Sequence, residues 1–172
     1  MKYSVPAIIS ILAPAAVADF MVFCGEDTNG VDGAGVGRFC VLFNNPPDCD
    51  DGGPKFSVLD DVSQNTCGGV RCEGCEEAQN IRDWIITELE INNTQKCTPS
   101  TLWIGNGGTD PHFTIYSDVT SAVIRDIDGN QIAECDVITE NNQILECSGG
   151  LNTSSYKHHF TCRTPMYILN SN

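Results

Sequence analysis

Cys75-Glu76-Glu77-Ala78-Gln79-Asn80-Ile81-Arg82-Asp83-Trp84-Ile85-Ile86-Thr87-Glu88-Leu89-Glu90-Ile91 is the stretch on which the fold class turns. Ala78, Ile81, Trp84 and Ile85 fall at i, i+3, i+6 and i+7, the stripe of an amphipathic helix. Glu76 and Glu77 would sit in its first turn, where the helix dipole favours negative charge. The spacing therefore predicts a helix from Glu76 to about Thr87, with Trp84 in the core. Its end is ambiguous, because Thr87–Ile91 alternates polar and apolar and fits a strand equally well.

Upstream, Phe20–Cys24 reads as a first strand, followed by a glycine-rich loop from Gly25 to Gly35. Val36–Phe43 is almost continuously apolar, as a strand covered on both faces would be. Asn44–Lys55, with three prolines and three aspartates, reads as a loop held by Cys49. Downstream the pattern is β throughout: Leu102–Ile104, His112–Tyr116, Ala122–Ile127, Gln131–Ile138, Gln143–Cys147 and Tyr156–Arg163. Asp128-Gly129 between two of these runs is the clearest hairpin signal. The expectation is an α+β fold: a single disulfide-rich domain with one helix packed on an antiparallel β-sheet.

The chain of 172 residues opens with Lys2, an apolar run from Val5 to Ala18 and the small-x-small triplet Ala16-Val17-Ala18. That pattern predicts a signal peptide over residues 1–18 and a single secreted cysteine-rich domain over residues 19–172. The apolar run is too short and too proline-interrupted to span a bilayer, so no membrane insertion is expected. Ten cysteines follow it: Cys24, Cys40, Cys49, Cys67, Cys72, Cys75, Cys97, Cys135, Cys147 and Cys162. An even count outside the cell implies five disulfides, whose pairing the sequence leaves open. Cys72-x-x-Cys75 fits a redox site poorly, because Glu73, Glu76 and Glu77 oppose a thiolate, and zinc on Cys67, Cys72, Cys75 and Cys97 is disfavoured in a secreted chain with six other cysteines; the pair reads as two structural disulfides leading elsewhere. Asn92-Asn93-Thr94 and Asn152-Thr153-Ser154 are glycosylation sequons at Asn92 and Asn152.

Loss of Lys2 with the leader leaves eight basic residues against 23 acidic ones. Such a surface repels phosphates and anionic headgroups over a Debye length of about 8 Å. Nucleic acid is thus not the expected partner, other than as a substrate held in a local cationic cleft. Two acidic stretches, from Asp27 and from Asp126, miss the register of a calcium-binding EF-hand loop. The sequence calls for no metal and no cofactor, and a monomer is expected.

Three histidines are the residues suited to acid–base chemistry near neutrality. Strand alternation places His112 with Thr114 and Tyr116. It places His159 with Lys157, Thr161 and Arg163, and His158 with Tyr156, Phe160 and Cys162. If the two polar faces met, His112, His159, Glu134 and Arg163 would form an anion-binding acid–base cleft. Trp84, Trp103, Tyr116, Tyr156 and Tyr167 are the aromatic rings available for stacking on carbohydrate.

Pro111-His112 followed by Tyr116 resembles part of the Pro-His-x-Tyr motif of the guanyl-specific fungal ribonucleases, with the tyrosine shifted by two residues. That resemblance implies a secreted phosphodiester hydrolase. Taken whole, the leader, the ten cysteines and the Gly-, Asn- and Asp-rich loops resemble the small secreted cysteine-rich, effector-like proteins of filamentous fungi. This second resemblance implies a non-enzymatic binder of a host or cell-wall component. A toxin or antimicrobial role is the third alternative, opposed by the acidity.

Overall fold

A computed structural model describes residues 18–29, 36–50, 55–58, 68–75, 80–92, 112–140, 143–149 and 152–164. The expected leader, apart from Ala18, lies outside them, as do the expected strand at Leu102–Ile104, Trp103, Tyr167, Cys67 and Cys97.

Ten strands form one antiparallel sheet: β1 (Ala18–Asn29), β2 (Gly37–Phe43), β3 (Lys55–Ser57), β4 (Gly68–Glu73), β5 (Ile85–Asn92), β6 (His112–Ser117), β7 (Ala122–Asp126), β8 (Gln131–Val137), β9 (Ile144–Gly149) and β10 (Asn152–Thr164). Their order is β3-β2-β1-β10-β8-β7-β6-β5-β4, with β9 beside the first half of β10. The two edges meet through a parallel bridge from Val58 to Val70, so the sheet is nearly closed into a barrel. Closure removes most of the exposed edge that an open sheet of this size would leave.

The expected α+β class is therefore corrected to all-β. No α-helix occurs among the described residues. Where a helix was expected, Asn80 caps a single 3-10 turn over Ile81–Asp83, its side chain accepting from the Arg82 amide at 3.0 Å. Trp84 is already extended (φ −65°, ψ 133°), and β5 follows at once. A 3-10 turn repeats every three residues, so Ile81 and Trp84 share a face in it as they would in a helix. The β-branched Ile85-Ile86-Thr87 favours the strand.

Inward-facing Phe20, Val22, Leu42, Trp84, Ile86, Leu89, Phe113, Ile115, Ile124 and Phe160 form the core. Phe23, Val41, Phe43 and Tyr156 make a smaller cluster on the outer wall. The Asp128-Gly129 hairpin joins β7 to β8 as the sequence suggests. Gly129 sits at φ 82°, where a side chain would be strained, and its amide donates to the Asp126 carbonyl at 3.0 Å.

Four disulfides connect described residues. Cys24–Cys40 and Cys135–Cys162 join directly opposed strand partners across the interior, with Cα atoms 4.0 and 3.9 Å apart. Cys49–Cys147 ties the loop after β2 to β9, closing 98 residues of chain. Cys72 pairs with Cys75, which corrects the expectation that each led to a different partner. The chain can turn back on itself there because β4 ends at Glu73 and Gly74 adopts φ 75°.

Candidate functional site

The strand β10 changes partners midway. Its C-terminal half pairs with β8 as far as Phe160↔Val137, and its N-terminal half takes up β9 from Lys157↔Ile144. Between them, Val22 of β1 opposes Phe160 while its neighbour Phe23 opposes His158, so His159 is the extra residue of a β-bulge. The bulge stays hydrogen-bonded: Ile138 N–H donates to the His159 carbonyl at 2.9 Å, and His158 N–H donates to the Gln143 carbonyl at 3.0 Å.

A one-residue insertion resets which side chains face inward. Lys157 opposes the interior residue Cys24 and lies inside with it. His158 opposes Phe23 on the outer wall and stacks on it, with ring centroids 4.5 Å apart and planes 2° from parallel. Phe160 and Cys162 then face inward, with Thr161 and Arg163 outside. The expected grouping is corrected accordingly: Lys157 and His159 do share a side, but Thr161 and Arg163 are not on it, and His158 is separated from Phe160 and Cys162.

The two adjacent imidazoles have different surroundings. His158 Nδ1 lies 2.5 Å from Gln143 Oε1, and its Nε2 lies 2.9 Å from the Phe160 carbonyl. His159 is 5 % exposed and its Nε2 has no hydrogen-bond partner among the described residues. Burial, reinforced by Lys157 and His158, lowers the His159 pKa to about 3, so the ring is neutral at ordinary pH. Lys157 Nζ donates to the Arg82 carbonyl at 2.7 Å, and burial lowers its pKa despite the opposing influence of Asp83. Trp84, 2 % exposed, is the other buried side chain whose polar atom, Nε1, lacks a partner among the described residues. Leaving one such group unpaired costs about 1–3 kcal/mol.

Trp84, Lys157 and His159 line one cavity of about 210 Å³, at the end of the barrel where β5 begins and β8 ends. Ile86, Val137 and Phe160 supply apolar walls, and Val119, 60 % exposed in the β6–β7 turn, stands at the mouth. Barrel mouths are common ligand sites for this combination of apolar walls and few polar groups.

His112 belongs elsewhere. It faces the outer wall with Thr114 and Tyr116, as alternation predicts, in a groove of about 390 Å³ that also contains Glu88, Glu90 and Arg125. Its Nε2 lies 3.5 Å from Glu90 Oε1, and Glu88 pairs with Arg71 at 2.5 Å. Glu134 and Arg163 are register partners on β8 and β10, but neither joins either histidine. Glu134 accepts from Gln131 Nε2 at 3.0 Å, and Arg163 pairs with Asp136 at 2.7 Å. The structure thus brings none of His112, His159, Glu134 and Arg163 together into one cleft. Sequence reasoning grouped Lys157 with His159 but missed Trp84, which lines the same cavity. No signal in the sequence joins Trp84 to this group: Tyr156-Lys157-His158-His159-Phe160 mixes polar and apolar side chains, and their unbroken burial is visible only in the fold.

Of the expected glycosylation sites, Asn152 is exposed at the start of β10, and Asn92 is half-buried opposite His112 at the end of β5. Comparison with protein-family models, with curated proteins and with solved structures finds no match for this chain. The fold and sites define it no further than a disulfide-bonded, nearly closed β-barrel with a cavity at its mouth and a groove on its outer wall.

Proposed function

We propose that this protein acts outside the producing cell as a disulfide-locked, effector-like scaffold that binds a host or cell-wall component. The observation that carries the reading is the separation of the acid–base groups. His112 lies on the outer wall and His159 inside the barrel, in different cavities, so the pair cannot act on one bond. The disulfides support an extracellular life, since they persist in oxidising surroundings. The resemblance to secreted cysteine-rich fungal proteins supplies the kind of partner.

A hydrolytic reading keeps one specific support: His112, Glu90 and Arg125 share the outer groove. One experiment separates the two. The oxidised protein is incubated with insoluble chitin, cellulose and β-glucan, and in parallel with single-stranded RNA. Saturable sedimentation with one polysaccharide and intact RNA is the expected result. RNA cleavage that disappears in His112→Ala, with folding retained, would replace binding by catalysis in the outer groove.

A further inference from the structure

The groove on the outer wall is built from outward side chains of β5, β6 and β7, and strand register fixes its layout. Glu88 lies opposite Tyr116, Glu90 opposite Thr114 and Asn92 opposite His112, while Arg125 of β7 flanks Thr114 on the other side. Rows of this kind, at about 3.3 Å per residue, make a strip about 13 Å long. Its floor is deep and its sides stand proud. Glu88, Glu90 and Thr114 are buried, although they alternate with the core residues Leu89, Ile91, Phe113 and Ile115 and so face outward. By contrast, Tyr116 is 44 % exposed, and Ile127 in the β7–β8 turn is 73 % exposed. The volume, about 390 Å³, falls within the roughly 300–1,000 Å³ of small-ligand sites.

The lining combines acceptors, a donor fork and an aromatic face. Arg71 pairs with Glu88, the His112 Nε2 lies 3.5 Å from Glu90, and Asp126 accepts from the Asn130 amide and side chain in the hairpin turn. These partners hold the carboxylates in place without exhausting them, since an ionised carboxylate has about four lone-pair sites. Arg125 donates from Nη1 to the Gly129 carbonyl at 2.8 Å, and its guanidinium fork carries further N–H groups. With Arg71 and Arg125 set against three carboxylates, no strong excess of charge calls for an ionic ligand. A peptide fits no better. The strands β5, β6 and β7 are each paired on both sides, so no strand can be added there. Among the described lining residues, Tyr116 and Ile127 offer apolar surface, but as exposed side chains and not as a pocket for an anchoring residue. A sugar ring meets all three features: its hydroxyls donate and accept, and its C–H face lies flat on an aromatic ring.

We propose, resting on the proposed extracellular binding role, that this outer groove is the surface that holds the partner and that the partner is a neutral glycan. A pyranose ring lies on Tyr116, while its hydroxyls donate to Glu88 and Glu90 and accept from Arg125.

The test is calorimetric titration of the oxidised full-length protein with the soluble hexamers of cellulose, β-glucan and chitin, alongside two cationic probes, the glucosamine hexamer and hexalysine. One neutral hexamer is expected to bind, with an affinity that added salt leaves unchanged. Tyr116→Ala and Arg125→Ala should each weaken it about tenfold. Val119→Ala, at the barrel mouth and outside the groove, should bind like the wild type. Tyr116 and Val119 are exposed, so both variants should fold. A neutral hexamer that binds equally well to both groove variants would overturn the groove as the site and leave the binding role standing. If no neutral hexamer binds, the proposal falls; if the insoluble polysaccharides also fail to sediment the protein, cell-wall binding falls with it. Tighter, salt-sensitive binding of the glucosamine hexamer or of hexalysine would make the groove an acidic patch and overturn the neutral glycan.

Discussion

The inner and outer faces of β10 handle polarity in opposite ways at the bulge. Outside, His158 stacks on Phe23 and both its ring nitrogens have partners. Inside, one residue further on, His159 is as deeply buried yet leaves Nε2 unpaired, beside a lysine and an unpaired indole. The C-terminal half of the same strand shows what an ordinary interior looks like: Phe160 and Cys162 packed inward, the latter cross-linked to Cys135. Adjacent, identical side chains are thus fully hydrogen-bonded on one face and left with an unpaired ring nitrogen, among the described residues, on the other. Burial is equal at the two rings, and the pairing of their ring nitrogens is what differs.

The disulfides that anchor the partners of β10 give the largest expected effect. Cys49→Ser with Cys147→Ser opens a 98-residue loop and frees β9 from its anchor, at a cost of about 4–5 kcal/mol in urea unfolding. A loss below about 1 kcal/mol would show that β9 does not hold the bulge in place. Next, Phe160→Ala should cost about 3–4 kcal/mol, as truncation of a fully packed core ring does.

His159→Leu sharpens the contrast, because it is equally buried but should leave stability at neutral pH unchanged or raised. The difference should then grow in acid. The folded-state pKa of His159 is lowered to about 3, so between the unfolded value near 6.5 and that point the unfolded chain binds the extra proton. Wild-type stability is full above about pH 6.5 and falls as pH drops, by about 2 kcal/mol at pH 5 from this ring. Thermal melts of the two proteins at a series of pH values should diverge accordingly; parallel curves would remove His159 from the interior. The smallest effect belongs to Arg163→Ala. Its pair with Asp136 is exposed on both sides (68 % and 58 %), so less than about 0.5 kcal/mol should be lost.

Much of the β architecture was legible in the sequence. Alternation marked β6, β7 and β8, and the Asp128-Gly129 turn identified their hairpin. It also placed His112 correctly on the polar side of β6. The helix reading failed for a local reason: the Ile81–Trp84 spacing serves a 3-10 turn as well as a helix, and nothing nearby distinguishes them until Ile85-Ile86-Thr87. The candidate site was half legible. Lys157 and His159 were grouped from strand period, but that period carries no mark of an inserted residue, so Phe160, Cys162, Thr161 and Arg163 were assigned to the wrong sides. The bulge coincides with the partner change from β8 to β9, a tertiary event that strand period does not record.

The most direct test of the account is a nitrogen-resolved NMR titration of the three imidazoles in the oxidised protein. The account predicts that His159 remains neutral, without an inflection, from about pH 8 down to about pH 4. An inflection of His159 near neutrality would contradict it by placing that ring in solvent rather than inside the barrel.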